Sequence, residues 1–145
     1  MIIRFWNAKD TYGIFSNFAE TPLVIDGTRY PTAEHFFQAQ KTKDSQEWSD
    51  IVRAPTPLDA KRLGRKVHLR DDWEVNKCSV MLWALREKAT QCPEFRQALI
   101  DSGDAELQEN SPFDFFWGTR RDGAGRNMLG ELLMDVRQMI KDGVL

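Results

Sequence analysis

With 145 residues, 41% of them hydrophobic and 29% charged, the chain holds enough apolar material for one packed core and is neither disordered nor fibrous in composition. Its net charge of −2 argues against a global field for nucleic acid or an anionic membrane, so affinity for phosphate has to come from a local cluster. Two cysteines, Cys78 and Cys92, with no CxxC pair and no histidine near them, argue against a zinc site and suit a reducing compartment.

Nothing in the order of residues breaks the chain: there is no repeat, linker or low-complexity stretch, and residues 1–145 read as a single domain. Residues 2–6 form a short strand. Residues 21–30 form a hairpin around Asp26-Gly27, a pair that supplies the positive φ of a tight turn. Pro31-Thr32 opens a helix through about Lys41, with Ala33, Phe36, Phe37 and Gln40 on one side. A second helix covers 45–52. Thr56-Pro57 then starts a third, because a hydroxyl cap followed by proline suits the first helical turn, and Gly64 ends it. Residues 73–91 form a long helix with Val75, Cys78, Leu82, Leu85 and Ala89 as its apolar stripe. Pro93 opens another helix through about Ile100. Residues 106–109 and 115–117 are candidate strands. The last helix, 127–141, buries Leu129, Leu132, Leu133, Val136 and Ile140. The expected fold is α+β: a helix-rich single domain with a small antiparallel sheet.

Five segments are candidates to carry chemistry. Glu34, Gln38 and Lys41 stand at i, i+4 and i+7 on one helix face, beside Phe36 and Phe37. A carboxyl in such surroundings can stay protonated and act as an acid, or stay ionised and steady a cationic sugar. The same triplet also fits an ordinary solvated helix face. Phe15-Ser16-Asn17-Phe18 sets two polar side chains between two aromatics, a pattern that stacks and hydrogen-bonds a base or else forms a small apolar cluster under a loop. Lys61, Arg62, Arg65, Lys66 and Arg70 make a basic stretch able to hold phosphate or merely to be solvated. Asp114 sits among Phe113, Phe115, Phe116 and Trp117, either bonded structurally or perturbed for function. Asp122-Gly123-Ala124-Gly125-Arg126-Asn127 precedes the last helix, where backbone N–H groups could meet an anion or a turn could simply end in an Asn cap. The chain lacks GxSxG, Walker and HExxH motifs, and with only His35 and His68 it is a poor candidate for a histidine triad.

Taken together, these segments resemble one family. Phe15-Ser16-Asn17-Phe18, the run Tyr30 to Lys41, Ala60-Lys61 with Gly64-Arg65, Trp73 with Lys77, Val80 and Met81, Glu109 with Ser111-Pro112, Asp114 and Trp117-Gly118, and Asp122-Gly123, Gly125, Asn127 and Leu129-Gly130 stand in the order of the NADAR-domain, YbiA-like N-glycosidases. The resemblance implies hydrolysis of the C–N bond between a ribose and a nitrogenous base. Its first expected substrate is a riboflavin-pathway pyrimidine carrying a ribose phosphate, and its second is ADP-ribose on guanine, free or in nucleic acid.

On that reading Glu34 is the central carboxylate, and Asp114 the second acid/base or the partner of the ribose hydroxyls. Trp117, Phe18 and Trp73 wall the base pocket, and Arg4, Lys61 and Arg65 hold phosphate. Ser16, Asn17, Gln38, Gly118, Asp122 and Asn127 complete the substrate contacts. A ribosylamine can also open to an imine that a lysine attacks, which makes Lys41, or alternatively Lys61, a candidate nucleophile. No metal or cofactor is expected, nor a membrane partner, because no apolar run approaches the ~20 residues of a span. The start is too short and too soon polar for a signal peptide, so a cytoplasmic location is expected, with the oligomeric state open. Two other classes fit the same segments: a non-catalytic ADP-ribose-binding module, and a nucleic-acid domain that senses modified bases.

Overall fold

In a computed structural model describing all 145 residues, strand β1 (Ile2–Phe5) turns Ile3 and Phe5 inward and exposes Ile2 and Arg4. The hairpin forms around Asp26 and Gly27, at φ 51° and 80°, which closes β2 (Leu23–Ile25) onto β3 (Thr28–Tyr30) with Leu23 opposite Tyr30. Helices α1 (Ala33–Ala39), α2 (Ser45–Val52) and α3 (Pro57–Gly64) follow. Each starts at a side-chain cap: Thr32, Asp44 and Thr56 accept the backbone N–H of His35, Glu47 and Asp59. The long α4 (Trp73–Gln91), then α5 (Pro93–Asp101), β4 (Glu106–Glu109) and α6 (Met128–Lys141) complete the α+β fold. No helix is long and apolar enough to cross a membrane.

The sheet differs from the expected one. There are two separate pairs: β2 with β3, antiparallel, and β1 with β4, parallel, Phe5 opposite Glu109. A parallel pair needs a long crossover, and here the first five helices supply it. Residues 115–117 are not a strand, because Asp114 Oδ1 accepts the N–H groups of Phe116 and Trp117 at 3.0 and 2.7 Å and curls the chain. On α4 the inward face is Trp73, Val80, Met81, Ala84, Leu85, Lys88 and Ala89, whereas Val75 is 84% exposed. The expected α4 stripe was therefore rotated: Lys88, polar by type, belongs to the buried side. Its amine donates to the carbonyls of Ile14 and Ser16 at 2.7 and 3.1 Å, satisfying a group that would otherwise be costly to bury.

The core runs from Ile3, Phe5 and Leu107 on the parallel pair through Phe36 and Phe37 of α1 to Leu85, Leu129 and Leu133. Helix α1 lies in the middle, packed by α2, α3 and α4, and every one of its seven residues is buried.

Candidate active site

The central position of α1 decides between the two readings of its polar line. Glu34, Gln38 and Lys41 are not a solvated face; they line a cavity of about 240 Å³. Close approach of α3 keeps solvent off this face. At Gly64 a Cβ would collide with the amide end of Gln38, so glycine lets α3 pack here and bring Lys61 to the cavity without displacing that side chain. The start of α1 is tied to the preceding loop by the Glu34 N–H, which donates to Asn17 O at 3.1 Å. His35, on the other face, is a structural strut: the Thr32 hydroxyl meets Nδ1 at 2.8 Å and Nε2–H donates to Ala54 O at 2.9 Å, while burial lowers its pKa and keeps it neutral.

Three carboxyl groups, Glu34, Glu109 and Asp114, line the cavity together with two amines, Lys41 and Lys61. Burial raises the pKa of Glu34, opposed by the Gln38 N–H, which donates to Oε1 at 2.8 Å, and by the charges of Lys61 and Lys41. Burial likewise lowers the pKa of Lys41, although Glu34 opposes it. Glu109 is pushed up to about 7, first by burial and then by the charge of Asp114. Carboxyls and an amine displaced toward neutrality within one cavity are a feature of acid–base sites. Aromatic walls surround them: Trp6 and Phe18 at the rim, Phe37 and Trp117 edge to face at 5.4 Å. Three side-chain acceptors here, Asn17 Oδ1, Gln38 Oε1 and Glu109 Oε2, are buried without a hydrogen-bond partner. Such groups are costly to bury unmet, and two of them lie against glycines, Gln38 Oε1 at Gly64 and Glu109 Oε2 at Gly118.

Of the residues expected at the site, Glu34, Asp114, Lys41, Lys61, Ser16, Asn17, Phe18, Gln38 and Trp117 line this cavity. Six others do not. Trp73 is buried behind it, 5.1 Å from the Phe37 ring, and so supports a wall instead of forming one. Arg65 is exposed beyond the end of α3. Arg4 and Asp122 line a neighbouring cleft that shares Trp6, and Asp122 is held there by Arg120 at 2.6 Å. Gly118 packs beside Glu109, where a Cβ would stand 2.6 Å from Oε2. Asn127 is buried at a left-handed φ of 51°, and its side chain bridges to β4: Oδ1 accepts the Glu109 N–H at 3.0 Å and Nδ2 donates to Leu107 O at 2.9 Å. Asn127 therefore contacts the element that carries Glu109, not the cavity.

The expectation also left out Trp6, Phe37, Met81, Glu109, Ser111 and Leu129, all of which line the cavity. For Glu109 a signal was present. In a strand, alternate residues share a face, and Leu107 is wholly buried, so Glu109 two positions on faces the same way. No group of three or more His, Cys, Asp or Glu side chains is placed to hold a metal ion.

The NADAR domain family matches residues 4–141. N-glycosidase YbiA of Escherichia coli strain K12 is 43% identical over 141 residues, covering 96% of this chain and 88% of that protein. The NMR structure of Escherichia coli YbiA superposes with a TM-score of 0.91 at 42% identity, covering 99% of this chain and 86% of that one. A protein of Vibrio vulnificus named riboflavin biosynthesis protein VVA0006 is 37% identical over 142 residues, covering 97% of this chain but 39% of its own length.

Proposed function

This chain belongs to the NADAR-domain family, and from that membership we propose that it is an N-glycosidase hydrolysing the C–N bond between a ribose phosphate and a nitrogenous base. One observation carries the reading: a carboxyl on α1, buried against two lysines, shares a small aromatic-walled cavity with two further carboxyls. Cleavage of a ribosyl C–N bond puts positive character on the sugar and negative character on the departing nitrogen, so it calls for a carboxylate near the first and a proton donor near the second. At about 240 Å³ the cavity is below the ~300–1,000 Å³ of sites that enclose a whole small ligand, and so suits the sugar and the bond to be broken.

Glu34 is the group we assign to the sugar. Gln38 orients it, and Lys41 and Lys61 favour its ionised form. Asp114 spends Oδ1 on the turn that places Trp117, and its place in the cavity wall suits contact with the ribose hydroxyls. Lys41, its pKa lowered by burial, is the better placed of the two lysines for an imine route, because the neutral amine is the nucleophile.

For substrate, a ribosylated pyrimidine of the riboflavin pathway is the first choice, supported by the name of the Vibrio vulnificus relative. ADP-ribose on guanine is the second reading, favoured by one feature: the neighbouring cleft brings Arg4, Arg120 and Arg121 to the far side of Trp6, where a second phosphate could be held. The protein acts in either case on a ribosylated base, in the cytoplasm. Incubation with a phosphoribosylamino-pyrimidine and, separately, with ADP-ribosylated guanine DNA, followed by mass spectrometry of the freed base, tests the reading. Release from one of them is expected. Tight binding with no base freed from either would make the protein a non-catalytic binding module.

A further inference from the structure

We propose that Glu109 is the acid that protonates the departing base, a role that rests on the N-glycosidase reading and completes it. Glu109 is the last residue of β4, and its backbone is held on three sides. It lies in register with Phe5 of β1, its N–H donates to Asn127 Oδ1 at 3.0 Å, and its carbonyl accepts the Thr119 N–H at 2.8 Å. Its side chain lines the cavity with Oε2 shielded from solvent and without a hydrogen-bond partner. Gly118 makes the room for it. This is a rigidly mounted carboxyl with an uncommitted oxygen, whereas Glu34 receives an N–H from Gln38 and Asp114 spends Oδ1 on two backbone N–H groups.

The charges around the two glutamates set them apart. Glu34 on α1 faces Lys61 of α3 and Lys41, as well as the more weakly felt Asp114. Glu109 faces Asp114 and Glu34, with Lys61 alone opposing them. When neighbouring carboxyls share one proton, it resides on the one surrounded by negative charge. Burial raises both glutamates, but two lysines and the Gln38 N–H oppose it at Glu34 and Lys61 alone at Glu109, so that carboxyl is Glu109; burial and its neighbours bring it to about 7, close to the optimum for a general acid in neutral solution.

The step balances without a co-reactant other than water. The electron pair of the C–N bond passes to the base nitrogen, which takes the proton of the Glu109 carboxyl. The oxygen of a water molecule bonds to the sugar carbon and gives its proton to the Glu34 carboxylate. One water is consumed, a sugar hydroxyl and a free N–H are formed, and the two carboxyls regain their starting states by exchange with solvent.

The test is the pH profile of kcat on a phosphoribosylamino-pyrimidine for the wild type, Glu109→Gln and Glu109→Asp. The wild type is expected to lose activity as pH rises through about 7. Glu109→Gln is expected to lower kcat by ~100-fold with KM little changed and to abolish that alkaline limb, and Glu109→Asp to restore part of both. Persistence of the limb in Glu109→Gln, or near-normal turnover by it, overturns the assignment while leaving the N-glycosidase reading intact; a wild type that frees no base overturns both. If Glu109→Gln loses its melting transition, carbon-13 titration of the glutamate carboxyls in the wild-type protein decides instead: a Glu109 resonance titrating near neutrality supports the proposal, and one titrating in the usual carboxylate range rejects it.

Discussion

Gln38 donates its amide N–H to Glu34 Oε1 at 2.8 Å, one helical turn along α1, and so holds the carboxyl by a partner on the same rigid element. The pair depends on a third position. A side chain at Gly64 would strike Gln38. Gly64→Ala is therefore expected to destabilise the protein by ~1–3 kcal/mol through overpacking and to lower turnover, because relief of the clash moves the residue that orients Glu34. Thermal denaturation and steady-state kinetics check both; unchanged stability with unchanged turnover would mean that α3 can retreat without cost.

Lys88 leaves a signature in alkaline solution. Burial lowers its pKa to about 7 from the ordinary 10.5, so between these values the unfolded chain binds more protons than the folded one. Its contribution to stability is complete above about 10.5 and is lost as pH falls through about 7. Denaturant unfolding at several pH values should show wild-type stability gaining relative to Lys88→Met as pH rises across this window. The variant should also show a raised KM, since Lys88 anchors the carbonyls of Ile14 and Ser16 beside the cavity-lining Ser16 and Asn17.

Glu109 predicts the opposite slope. Its folded pKa, about 7, lies above the ordinary 4.5, so its contribution is complete below 4.5 and is lost as pH rises through about 7. Glu109→Gln, which carries no charge at any pH, should therefore melt higher relative to wild type at pH 8 than at pH 4.5. Parallel melting curves at the two pH values would show that the carboxyl is not desolvated as the structure has it.

The direct and imine routes separate chemically. Borohydride reduction during turnover should leave a stable sugar adduct on Lys41 if the imine route operates, read as a mass increase on the peptide that contains it. An adduct on Lys61 moves the nucleophile to α3. Full activity with no adduct on either lysine leaves the direct route.

Much of this architecture was legible because its determinants are local. The caps at Thr32 and Thr56, the proline after Thr56 and the Asp26-Gly27 turn each act within a few residues, and the helices and hairpin lie close to where those residues put them. The parallel pairing of Ile2 with Glu106 was not legible, since periodicity states that a strand exists but not which distant strand it joins. The site divides along the same line. Glu34, Gln38 and Lys41 share a face because helical geometry makes them do so, but only the packing of α3 and α4 around α1 turns that face into a cavity wall. Arg4 has the right chemistry for phosphate and Asp122 for a sugar hydroxyl, yet both lie across Trp6 in a separate cleft, and Asn127 proved to be a brace for β4. Residue type alone did not separate these roles; position in the fold did.

Base release by Glu34→Gln is the measurement closest to the centre of this account. The substitution keeps the volume of the side chain and removes its charge. Equal amounts of wild type and variant, with melting curves confirming that both are folded, would be given the same ribosylated base and the freed base counted over time. The account predicts a folded variant that is slower by ~100-fold or more. A folded variant that turns over at nearly the wild-type rate would contradict it, because the carboxyl buried at the heart of the cavity would then have no part in breaking the bond.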